Sequence, residues 1–237
     1  MKILAVITAR GGSKGVKDKN IRLVDGQSLI SYAIECANES KYVTDCVTTT
    51  DSERIADVVK KWNGEVLMRP PKLARDDTPS SPVVMHVIDE LEKEGRVYDI
   101  IVLLQPTAPI RTGEDVDRVI QMLKDDPKLD SVISVVPMQD VHPAKMYHVD
   151  NEQNMQTLVK DGERLRRQDL TPVYLRNGCI YAIRTAAFRE QKELIINNKK
   201  AYVMSEDWLA NVDSERDLMM TELLVKAWKK ERAARGA

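Results

Sequence analysis

Three glycines and four basic side chains crowd the stretch ITARGGSKGVKDKNI, Ile7 to Ile21, directly after an apolar run. Gly11, Gly12 and Gly15 permit close backbone approach and positive φ, so successive N–H groups can turn inward and form an anion nest. Arg10 and Lys14 add positive charge. The chemistry such a loop suits is the grip of a triphosphate, although a solvated connection has the same composition. The spacing is neither G-x-G-x-x-G nor G-x-x-x-x-G-K-[ST], which excludes the usual dinucleotide and P-loop readings. Lys17 and Lys19 flank Asp18 and read as solvated surface. Elsewhere the chemistry-bearing residues are sparse. His86 lies in a helical stretch, His142 and His148 in a polar one, and no H-E-x-x-H occurs. No G-x-S-x-G elbow supports a serine nucleophile. Cys36, Cys46 and Cys179 are far apart without a C-x-x-C, so they read as small apolar side chains rather than a disulfide or zinc set.

The elements that must position the loop follow from periodicity. MKILAVIT is apolar at nearly every position, as in a strand covered on both faces. Apolar stripes at helical spacing follow: Ile30, Ala33, Ile34, Ala37; then Ile55, Val58, Val59, Trp62; then Val84, Val87, Ile88, Leu91; then Val116, Val119, Ile120, Leu123. Between them lie the short runs DCVTTT, EVLM, DIIVLLQ and SVISVV. Strand and helix therefore alternate to about residue 136, which predicts a mostly parallel α/β sheet with helices on both faces. In such sheets ligands lie beyond the carboxyl ends of strands, where the glycine loop and Gln105 are expected. Thr50 to Glu53 reads as a capping box, and Thr112 as the cap of a helix from Gly113. Thr78, Ser80 and Ser81, beside Pro79 and Pro82, suit the start of another helix.

After residue 137 the rhythm breaks, and residues 138–175 form a polar, proline-containing inserted arm. GCIYAI and AYVM return as strands, and a helix from about Ser214 to Arg232 buries Leu218, Leu224, Val225 and Trp228. The main domain is thus 1–137 with 176–237. The chain has 237 residues, 43% hydrophobic and 31% charged, with net charge −1, so bulk attraction to nucleic acid is not expected. No apolar run approaches the ~20 residues of a membrane span and no signal peptide is evident, so a cytoplasmic location without membrane partners is expected.

ARGGSKG with KDKNI, TTTDSERIA, RPPKLARDDTPSS, VLLQPTAPIRT, RRQDLTPVYLRNGCIYAI and NVDSERDL together resemble, in order and over nearly the whole chain, the acylneuraminate cytidylyltransferase family. The resemblance implies a Rossmann-like domain with a small dimerisation arm, a homodimer, and transfer of CMP from CTP to a nine-carbon keto-sugar acid with Mg²⁺. It implies that Arg10, Gly11, Gly12, Ser13, Lys14 and Asn20 hold the nucleotide, that Arg69 reads the pyrimidine, and that Ser81 contributes. A surface ion pair for Arg69 and a helix cap for Ser81 are the bland alternatives. Gln105, Arg167, Asn177 and Tyr181 fall at the family's sugar-acid positions, Tyr181 being equally suited to core packing. Arg111 suits structure as well as function, and Arg164 and Arg166 read as solvated neighbours. Lys14, Arg10 and Asp213 are the implied catalytic set, with Asp213 and Asn211 at the metal. There the family's D-x-D becomes Asn211-Val212-Asp213, so one carboxylate is replaced by an amide. That departure predicts altered Mg²⁺ dependence, and it leaves open a CTP-binding homologue with little turnover. Legionaminic, pseudaminic and Kdo acids are alternative acceptors. Asp51 suits a helix N-terminus better than the metal.

Overall fold

The computed structural model describes residues 1–138 and 141–236; residues 139 and 140 of the expected arm and residue 237 lie outside the described residues. The chain opens with β1 (Ile3–Thr8), and a two-stranded hairpin, β2 (Leu23–Val24) and β3 (Gln27–Ser28), leads into α1 (Leu29–Glu39). Then come β4 (Asp45–Thr50), α2 (Glu53–Lys61), β5 (Glu65–Met68), α3 (Ser80–Lys93), β6 (Ile100–Leu104), α4 (Gly113–Asp125) and β7 (Ser131–Pro137). The alternation read from the sequence is therefore present, strand for strand.

The main sheet has seven strands. With β10 (Tyr174–Arg184) and β11 (Lys199–Val203) its order is β11-β7-β10-β6-β1-β4-β5. β10 is antiparallel to both β6 and β7, and the other pairings are parallel. The chain runs outward from β1 through β4 to β5 and then returns to β1's other side with β6. That reversal leaves a crevice beyond the carboxyl end of β1, where ligands lie in open α/β sheets.

Side chains of β1 alternate between two cores, as strand geometry requires. Ile3, Ala5 and Ile7 pack with the stripes of α1, α2 and α4, whereas Leu4 and Val6 pack with Val84, Val87, Ile88 and Leu91 of α3. Phe188 of α5 (Thr185–Gln191), a helix the sequence pattern did not announce, completes the second core. A third cluster joins Val24 and Leu29 to α6 (Glu215–Ala234) through Leu218 and Val225, with Leu224 and Trp228 partly buried.

Two helix starts differ from expectation. Ser52, not Thr50, precedes α2, and its side chain makes no capping bond; the Thr50 hydroxyl instead accepts the Ser52 N–H at 3.1 Å. α3 begins at Ser80 behind Pro79, again without a side-chain cap. The expected Thr112 cap is present as a reciprocal capping box with Asp115, and Ser214 forms another with Asp217 at α6. Within 141–173 the chain leaves the main sheet and forms a small ribbon, β8 (Tyr147–Val149) against β9 (Met155–Thr157). Pairing to β7 resumes at Tyr174, earlier than the GCIYAI run suggested.

Candidate active site

A cleft opens at the switch point, walled by Thr8, Arg10, Lys19, Arg69, Gln105 and Thr107 among others. These residues sit just past the ends of β1, β5 and β6. The loop after β1 is held by contacts only glycine allows. A Cβ on Gly15 would stand 2.1 Å from the Asp213 carbonyl oxygen, and one on Gly11 would stand 2.9 Å from Ser52 Cβ. None of Gly11, Gly12 and Gly15 has the positive φ that the sequence reading entertained; close approach is what Gly11 and Gly15 supply. The Gly11 N–H donates to Asp51 Oδ1 at 3.0 Å, and Asn20, buried, donates from Nδ2 to the Arg10 carbonyl at 3.1 Å. Asp51 is thus an anchor for the loop, a role the sequence did not suggest.

Arg69 enters the cleft as a buried cation. Its side chain is 4% exposed, Nη2 lies 3.8 Å from Asp51, and Nε has no hydrogen-bond partner among the described residues. Burial lowers its pKa, with Asp51 acting against that shift, and a guanidinium stays charged regardless. A buried fork of donors with one unmet is a recognition group for planar acceptors. Gln105 follows β6 directly, and Gly178, whose φ is +76°, lies beside it, so that a Cβ there would stand 3.1 Å from Gln105 Oε1. The register of β10 against β7 shifts between Arg176 and Tyr181, so this glycine sits in an irregularity beside the cleft. Arg111, buried, donates from Nη1 to the Gln105 carbonyl at 2.9 Å and also to the Ala108 carbonyl, while its Nε and Nη2 have no hydrogen-bond partner among the described residues.

Asp213 arrives from the far end of the chain. The Val212 N–H donates to the Thr107 carbonyl at 2.8 Å, which ties this segment to the cleft wall. The Asp213 carboxylate is 68% exposed; Oδ1 takes Lys19 Nζ at 2.8 Å and Oδ2 takes Asn211 Nδ2 at 3.0 Å. Lys19 also donates to the Val212 carbonyl at 2.8 Å, and its side chain is only 17% exposed. It is therefore the cation that joins loop to carboxylate, not the solvated surface that its charged neighbours suggested. Lys14, by contrast, is 82% exposed and pairs with Asp76. The signal for Lys19 was its adjacency to Asn20, but nothing local pairs position 19 with position 213.

The structure places several expected residues away from the cleft walls. Ser81 is buried on the other side of the first turn of α3, donating to Glu193 at 3.1 Å and accepting the Leu194 N–H at 3.3 Å, because successive helical residues face about 100° apart. Thr78 and Ser80 take the cleft-lining positions instead. Asn177 folds inward, its Oδ1 accepting from the Ser134 hydroxyl at 2.6 Å and from the Cys179 N–H at 3.2 Å. Tyr181 packs in the core with Leu103 and Ile133, where burial raises its phenol pKa. Arg167 stands exposed on a single turn of the 141–173 segment.

Among the described residues no three His, Cys, Asp or Glu side chains gather as a metal cage. An open carboxylate with an amide beside it fits a hard ion that keeps waters and shares phosphate oxygens, which is the manner of Mg²⁺. The described helices include none long and apolar enough to cross a membrane.

Comparison with known proteins identifies the family and the fold. The chain is 33% identical over 234 residues to the CMP-N,N'-diacetyllegionaminic acid synthase of Legionella pneumophila, covering 95% of this chain and 97% of that one. It is 28% identical to the N-acylneuraminate cytidylyltransferase of Streptococcus agalactiae over 92% of its own length, spanning 52% of that longer protein. The solved CMP:2-keto-3-deoxy-manno-octonic acid synthetase complexed with CTP superposes with a TM-score of 0.73 at 19% identity, over 96% of this chain and 99% of that chain, and so shares its fold. The family profile described as cytidylyltransferase matches residues 4–230, and with a switch-point cleft built from the same motif blocks, this chain belongs to the cytidylyltransferase family.

Proposed function

We propose that this chain couples CTP to a sialic-type nonulosonic acid, giving the CMP-sugar and pyrophosphate. The observation that carries the reading is the convergence of Arg10, Lys19, Arg69 and Gln105 on one cleft at the switch point. Arg10, Lys14 and the Gly11–Gly15 backbone take the triphosphate, and Asn20 holds the loop's shape through the Arg10 carbonyl. Arg69 reads the cytosine ring with its unmet donor. Gln105 receives the acid at the edge of the sheet. The anomeric hydroxyl attacks the α-phosphorus in line: a new O–P bond forms, the bond to the β-phosphoryl oxygen breaks, and the hydroxyl proton leaves to solvent. Charge gathers on departing pyrophosphate, where fixed cations are worth most.

Asp213, with Asn211 beside it, would hold Mg²⁺. When bound, the ion neutralises phosphate charge. Lys19 keeps the Asp213 carboxylate aligned and offsets part of its charge.

The protein acts as a homodimer in this reading, with the 141–173 segment reaching a second copy. Tyr147, Val149 and Met155 of its ribbon are exposed apolar side chains, which supports an interface there. Arg167 on the same segment is then placed to meet a substrate carboxylate. Cytoplasmic location belongs to the same reading. Sedimentation of the full chain checks the assembly, a monomer at micromolar concentration counting against it.

A second reading keeps the chemistry and changes the acceptor to a legionaminic-type acid, favoured by the end-to-end match to the Legionella synthase. Pyrophosphate release from CTP and Mg²⁺ with a panel of neuraminic, legionaminic, pseudaminic and Kdo acids decides between them. No release with any acid, despite CTP binding, would overturn the catalytic reading.

A further inference from the structure

The two cations at the mouth of the glycine loop are already engaged by an anion of the protein itself. Arg10 Nη1 pairs with one oxygen of Asp76, and Lys14 Nζ with the other at 2.5 Å. Asp76 lies between the single turn Pro71–Leu73 and α3, in a strap whose Leu73, Arg75 and Thr78 line the same cleft. Its neighbour Asp77 instead pairs with Arg75, both side chains about 70% exposed. One carboxylate thus spans two cations from different points of the loop, as two oxygens of a phosphate would.

We propose that Asp76 is an internal competitor for the phosphate grip, which occupies Arg10 and Lys14 and yields them to a triphosphate. This rests on the CTP reading above. The physical argument is one of exchange: a tethered anion is present at high effective concentration, so any incoming anion must replace it. A triphosphate brings several charges and further contacts along the loop and displaces one carboxylate readily. A nucleoside monophosphate or free pyrophosphate, lacking either the charge or the base contacts, meets the same competitor with less to offer. Every ligand that takes both cations bears the same cost of releasing Asp76, so Asp76 weakens CTP and pyrophosphate binding alike and hastens departure of pyrophosphate by re-forming its pairs once the product loosens. Lys14 shows why the device is needed: it is 82% exposed, and the strap is what holds it over the loop. The competition acts on affinity and turnover, through charge rather than contact with the reacting atoms.

The test is calorimetric titration of the full chain with CTP, CMP and inorganic pyrophosphate, each with and without Mg²⁺, for the natural protein, Asp76→Asn, Asp76→Ser and Asp77→Asn. Thermal melting establishes that each variant is folded. Both Asp76 variants are expected to bind CMP and pyrophosphate roughly three- to tenfold more tightly, the scale of two partly exposed ion pairs. CTP tightens by a similar factor; in turnover, KM for CTP drops while inhibition by pyrophosphate strengthens. Asp77→Asn matches the natural protein. Equal or weaker pyrophosphate binding by both Asp76 variants overturns the proposal. So does a loss of CTP affinity seen only with Mg²⁺ present, which makes Asp76 a metal ligand. Should the natural protein bind pyrophosphate, tightened by the Asp76 variants, but no CTP, the competitor stands and the CTP reading falls.

Discussion

At the scale of single residues, the cleft is a set of charges held at different depths. Arg69 is the most constrained of them: its guanidinium is buried beside Asp51 with one N–H unmet, so geometry as well as charge is fixed. Lysine supplies a point charge on a flexible stem and cannot reproduce the fork. Arg69→Lys should therefore lower kcat/KM for CTP by about tenfold to a hundredfold, the cost of one lost charge-assisted hydrogen bond. It should also narrow the preference for CTP over UTP, which competition between the two nucleotides reads directly. Asn211 sits at the other extreme, exposed and bonded through Nδ2 to Asp213. Asn211→Asp puts a second carboxylate beside the first. Like charges so placed repel until a cation intervenes, so melting should move down without Mg²⁺ and rise more steeply with added Mg²⁺ than in the natural protein. Half-activation should also need less Mg²⁺. An unchanged magnesium titration would show that the amide is metal-neutral.

Elements carry these residues into place, and two of their constraints are testable alone. The loop after β1 fits only because Gly15 lies against the Asp213 carbonyl, 2.1 Å from where a Cβ would be. Backbone must shift to admit a methyl group there, since neither partner is a flexible side-chain end. Gly15→Ala should cost about 1–3 kcal/mol of stability, as overpacking does, and should separate Lys19 from Asp213, lowering activity by more than the stability loss explains. The capping box at α6 holds the helix that follows Asp213. The Asp217 carboxyl is kept below the ordinary range, first by the Ser214 hydroxyl and then by the backbone N–H of Asp213. A carboxyl depressed on folding stabilises fully above its unfolded pKa, and that contribution is lost as pH falls through the folded value. Ser214→Ala should cost about 1 kcal/mol at neutral pH, and the penalty should shrink in acid below the usual carboxylate range. Equilibrium urea melts at several pH values measure both.

Across the whole molecule, two cores cover the faces of the seven-stranded sheet and a third cluster seats α6, and the cysteines belong to the first of them. Cys36 and Cys179 are buried, and burial pushes their thiols up to about 12 and about 11, with Arg111 opposing the shift in each case. Thiolate is the reactive form. Alkylation at pH 8 should therefore leave both unmodified for hours in the native protein and label them promptly in denaturant, as peptide mass mapping would report. Much of this organisation is written along the chain. Apolar stripes such as Val116, Val119, Ile120 and Leu123, and the unbroken run of β1, depend on neighbours a few residues away, so their period alone fixes helix, strand and buried face. The motif blocks likewise disclose the kinship of the chain, because the loop chemistry around Arg10 to Asn20 is local. What lies beyond that reach is partnership across the sheet. Lys19 and Asp213 stand 194 positions apart and meet only because β1 and the segment after β11 end on the same rim. Ser81 turns to Glu193, Asn177 to Ser134 and Asp76 to the loop cations through contacts whose register no short pattern encodes. Sequence thus determined the alternating strands and helices of the main sheet and what chemistry they bear. The folded sheet alone decided which charge faces which, since ion pairs depend on distances of a few ångströms that only strand order and register set.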